Sequence, residues 1–90
     1  MAVGPVNPVP SVEEQQKNLQ RIAIKYGHEV MQIGRISVAG KDHATMICKI
    51  PFVGVVKNYS LIFDGIEYLV TARGNFDECD SIVRSFSKMR

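Results

Sequence analysis

Ninety residues, 46% of them apolar and 22% charged, with a formal net charge of +2, describe one small domain. That composition excludes wholesale disorder, and the charge falls well short of what a dedicated nucleic-acid binder carries. A chain this short buries a modest share of its unfolded surface, so pairing with another chain is a ready source of stability.

Pro5, Pro8 and Pro10 crowd the first ten residues. Proline fixes φ and removes an amide donor, so residues 1–10 read as a flexible proline-rich arm ahead of a single domain over 11–90. No basic stretch followed by an apolar run opens the chain, and no window approaches membrane-spanning length. The expectation is a cytoplasmic protein without membrane contact.

"SVEE" sets Glu14 three residues after Ser11, the spacing of a capping box. Val12, Leu19, Ile22, Ala23 and Tyr26 follow at helical spacing, and Gly27 supplies a left-handed stop, so a helix is expected over 12–26. Four strand-like runs come next. "HEVMQIGRISVA" carries Gly34 and a mixed period that suggest a bulge. "HATMICKI" places Ala44, Met46, Cys48 and Ile50 on one side. "VVKNYSLIF" and "IEYLVTAR" flank Asp64-Gly65, a pair suited to a tight hairpin turn. That hairpin aligns Phe63 with Ile66, Leu61 with Tyr68 and Tyr59 with Val70. "NFDE" then caps a closing helix, with Phe76, Cys79, Ile82, Val83 and Phe86 on its inner side.

The expected fold is α+β: helix, four-stranded antiparallel meander sheet, helix. Both helices are expected against the sheet face that carries Tyr59, Leu61, Phe63, Tyr68 and Val70. The opposite face would then be open, with Ile47, Ile62 and Leu69 as an apolar patch for self-association. The first strand is the expected edge, a second route to pairing with another chain.

Chemistry is sparse. His28 and His43 have no second ligand at metal spacing and read as surface or turn residues. Cys48 and Cys79 match no zinc pattern and read as buried small apolar residues, with a single disulfide as the alternative. Asp77, Glu78 and Asp80 sit where a helix dipole favours acids. No catalytic residue, cofactor or metal site is expected. Lys17, Arg21 and Lys25 recur every four positions on the first helix, and Arg84 and Lys88 repeat that spacing on the last. Side by side, the two stripes would form a basic surface for an acidic partner. No aromatic is interleaved to stack on bases.

From "ISVAGKDHATM" through "VVKNYSLIF" and "DGIEYLVTARG" to "IVRSFSK", the chain resembles the second half of the PsbP-like superfamily, which includes Mog-type and DcrB-like proteins. The resemblance covers roughly residues 33–88 and implies a non-catalytic, protein-binding role, with no site residues attached. The family's additional strands before the first helix are missing here, which favours completion by a second copy. The expected function is a small non-catalytic protein-binding or adaptor module, self-associating as a homodimer. The alternatives are a nucleic-acid-binding module using the basic helix surface and a small-ligand-binding domain with a cavity between sheet and helices.

Overall fold

Local signals in the chain do set its segments. The elements run β1 (Ala2–Pro5), α1 (Val12–Lys25), β2 (Glu29–Val38), β3 (Lys41–Ile50), β4 (Gly54–Phe63), β5 (Ile66–Ala72) and α2 (Phe76–Arg84). They are seen in a computed structural model that describes residues 2–86. Ser11 Oγ accepts the Glu14 backbone N–H at 3.2 Å and caps α1. At the other end Gly27 adopts φ +73°, and the His28 N–H reaches the Ala23 carbonyl at 2.8 Å, a Schellman closure. Asp64 and Gly65 both take positive φ, and the hairpin register is as the turn requires: Phe63 with Ile66, Leu61 with Tyr68, Tyr59 with Val70. Asn75 Oδ1 caps α2 by accepting from the Asp77 and Glu78 N–H groups.

The sheet has five strands rather than four, all antiparallel, in the order β1-β5-β4-β3-β2. The added strand comes from the segment read as a flexible arm: Ala2–Pro5 pairs with Leu69–Ile66, and the Val6 N–H continues the ladder to the Gly65 carbonyl. An edge strand needs donors on one side only, so proline does not bar the pairing. From that edge α1 carries the chain across the sheet to β2 at the other edge.

The two helices do not share a face. The β3–β4 register sets Ala44 opposite Ser60 and Met46 opposite Asn58, so Ala44, Met46 and Cys48 point away from the Tyr59–Leu61–Phe63 side. Leu19 and Ala23 of α1 pack on Ala44, Met46, Cys48 and Val56. Val83 of α2, with Cys79 and Phe86, packs on Ile36, Val38, Tyr59, Leu61 and Phe63 on the other side. Each sheet face has its own core under its own helix. The expectation of one shared face fails because the β3 and β4 stripes, each apolar, belong to opposite sides.

Candidate functional site

The antiparallel meander collects four segments at one end of the molecule: the end of α1, the start of β2, the β3–β4 turn and the end of β5. Glu29 pairs with Lys49, Lys49 with Val55, and Lys57 with Ala72. Among the described residues this end carries uncovered apolar side chains between the exposed charges of Lys25, Glu29 and Lys49. Ile24, Tyr26, Met31, Phe52, Val53 and Val55 are all exposed there, from 40% for Val55 to complete exposure for Phe52. Phe52 sits in the Pro51–Val53 turn at φ +66°. That is left-handed backbone that a bulky L side chain rarely adopts, and such departures concentrate at functional sites. The signal was present in the sequence: "PFVG" is a turn with a phenylalanine and a valine at its tip.

Beside this end, between α1 and the half of the sheet formed by β4 and β5, lies a groove of about 190 Å³. Leu19, Ile22, Ala23, Met46, Ile50 and Leu69 supply its apolar lining, with His28, Asn58 and Thr71 at its polar side. It exists because α1 rides mainly on β2 and β3: Gln16 Nε2 donates to the Gly34 carbonyl of β2 at 2.9 Å. The helix also presents a small residue, Ala23, above Ala44 and Cys48. Near the end of β5 on this side, Thr71 is exposed. Asn58 already has partners, accepting from Thr71 Oγ1 at 2.7 Å and donating to Cys48 Sγ at 3.3 Å. Burial pushes the Cys48 thiol up, with the Asn58 hydrogen bond opposing, so it stays a neutral core group.

β2 is an edge of the sheet, pairing with β3 alone. Its register slips between Val30 and Gln32, leaving Met31 as the bulge residue at the exposed end. Arg35 on the same strand meets Glu13 and Asp42 at 3.6 Å each. All three side chains are about half exposed or more, so these pairs contribute little.

The expected self-association patch is not present. Ile62 is buried at 2% exposure. Leu69 packs against the α1 core and lines the groove, while Ile47 alternates onto the opposite face. The expected basic surface does not assemble either. Lys17, Arg21 and Lys25 are exposed along α1, but Arg84 belongs to α2 across the sheet, and Lys88 lies outside the described residues.

Polar groups also sit inside the α2 side. Asp80 takes two hydrogen bonds from Lys57 Nζ, at 2.9 and 3.1 Å, and a short one from the Tyr59 hydroxyl. Burial pushes the Asp80 carboxyl up. The Lys57 and Tyr59 hydrogen bonds and the Lys57 and Arg84 charges outweigh that and hold it below its ordinary value. Burial, then the Asp80 contact, raises the Tyr59 phenol, so it stays protonated as a donor. Tyr59 is fully buried, and this trio fastens α2 to β4. His43 is also fully buried, contrary to its expected place in a turn. Its Nδ1 accepts from the Ile62 N–H at 3.2 Å, its ring meets Phe63 at 5.0 Å, and Nε2 has no hydrogen-bond partner of good geometry. Burial and then the Lys41 charge lower its pKa, with Val38 and Asp42 opposing, so the ring stays neutral.

Among the described residues no group of three or more His, Cys, Asp or Glu side chains is placed to hold a metal ion. No helix among them is long and apolar enough to cross a membrane. No protein-family model, curated protein or solved structure matches the chain.

Proposed function

We propose that this chain is a non-catalytic protein-binding module that works as a homodimer, joined at its apolar end. The observation that carries this reading is the gathering of Ile24, Tyr26, Met31, Phe52, Val53 and Val55, all exposed, at one end of a domain this small. Scattered apolar residues are ordinary on any surface; here the β2–β3–β4 registers set Met31, Phe52, Val53 and Val55 at one end of the sheet, and α1 ends there with Ile24 and Tyr26. The free edge of β2, with Met31 at its bulge, borders the same end and offers backbone groups to it. The resemblance to the PsbP-like superfamily implies the same class of role.

The test is the mass in solution by light scattering across a concentration series. A dimer is expected, and the double variant Tyr26→Lys/Val53→Lys should shift it to monomer without lowering the melting temperature, since both side chains are exposed. A wild-type chain that stays monomeric at every concentration would sink the reading.

A further inference from the structure

Two features of the apolar end have no partner among the described residues: an apolar groove and a solvent-facing aromatic ring. Their sizes match. An apolar cavity of about 150 Å³ holds a benzene molecule. The groove, at about 190 Å³, therefore has room for one phenyl ring. Its lining is mainly aliphatic, with His28, Asn58 and Thr71 along one side, and the amide oxygen and nitrogen of Asn58 are both already engaged, by Thr71 and Cys48. Nothing in it calls for a charged ligand. Phe52 supplies an unburied ring, held outward on backbone that costs strain for any residue except glycine. Phe52 follows groove-lining Ile50 by two residues, yet its ring is fully exposed and does not fill its own groove.

We infer that the groove between α1 and β5 receives the Phe52 ring of a second copy, the two copies exchanging rings about a two-fold axis. This rests on the self-association proposed above and names its contact. Because ring and groove lie at the same end, each copy is both donor and receptor, and the assembly closes as a dimer instead of running on as a filament. The strain at Phe52 then has a physical use: it keeps the ring off its own domain and available to the other.

The experiment compares dimer dissociation constants of the full chain by light scattering, with methyl NMR on Leu69 and Ile50. Phe52→Ser removes the ring, and Ala23→Met fills the groove. Each should weaken the dimer at least tenfold. Mixing the two should recover a heterodimer held by the one remaining ring–groove pair. Ile22→Lys, at the exposed rim, repeats the groove test should Ala23→Met unfold the domain. Toluene at saturation should shift the Leu69 and Ile50 methyls and dissociate the dimer. A dimer broken by Tyr26→Lys/Val53→Lys but untouched by Phe52→Ser and by groove filling would overturn the ring exchange and leave self-association standing. Toluene filling the groove with the dimer intact would also overturn it, making the groove a small-ligand site. A monomer at every concentration would overturn both proposals.

Discussion

The two sheet faces are covered in different ways. Over one lies α1, with fourteen residues, capped at both ends; over the other lies α2, with nine. The longer helix makes the looser contact. It meets the sheet through Leu19 and Ala23 on small partners, Ala44 and Cys48, and leaves a groove beside it. The shorter helix meets aromatics. Phe63, Tyr68 and Phe86 lie with ring centroids 5.0 to 6.3 Å apart, and the Lys57–Asp80–Tyr59 trio closes the contact. Helix length therefore does not decide how well a face is sealed; the volume of the side chains beneath it does.

The contrast can be broken most directly with one deletion on each side. Leu61→Ala, beneath α2 with no exposure, should cost about 4 kcal/mol, because close-packed rings around it cannot collapse into the void. Leu19→Ala should cost less, about 2.5 kcal/mol, because its void would merge with a groove already present. Urea denaturation of both variants checks the difference, and equal costs would mean the groove is closed in solution.

Next in size is the ion pair under α2. With Lys57 and Asp80 side chains only 13% and 18% exposed, Asp80→Ala should cost about 3 kcal/mol by leaving a poorly hydrated ammonium. The double variant Lys57→Met/Asp80→Leu should regain more than half of that in the same assay. No recovery would mean that Asp80 acts through Tyr59 alone.

Smaller effects follow with pH. A histidine whose folded pKa lies below its ordinary 6.5 binds more protons when unfolded, so its neutral burial stabilises fully above 6.5. That contribution is lost as pH falls from 6.5 towards the lower folded value. Asp80, depressed below 3.8, contributes above that value and loses its share only as pH falls through its folded pKa. Melting temperature against pH should thus fall in two steps, and His43→Gln should remove the upper one. A single step below pH 3.8, unchanged by His43→Gln, would show that the imidazole stays satisfied when charged. The smallest effect belongs to the turn: Phe52→Gly should stabilise the monomer by about 0.5–1 kcal/mol by relieving the left-handed strain, while weakening the dimer. Thermal melts at low concentration read the first, and light scattering the second.

Much of this architecture follows from local chemistry. Ser11, Gly27, Asp64-Gly65 and Asn75 mark helix ends and a hairpin because capping and positive φ are decided within a few residues. The hairpin register came with its two-residue turn. The fifth strand was not legible, because three prolines signal an extended chain and say nothing about whether an edge lies beside it. The candidate site was less legible still: Ile62 and Leu69 alternate as an exposed stripe would, yet lie on the side that α1 covers, and nothing in "PFVG" says that its ring stays exposed.

By itself the sequence marked the two helices and the four strands from β2 to β5, and which residues alternate along each of those strands. Only the tertiary structure decided which stripes share a face, that each face carries one helix, and that six apolar side chains and a groove meet at one end. Caps and turns are set by contacts a few residues apart. Faces depend on the register between β3 and β4, where a shift of one residue moves every side chain to the other side of the sheet.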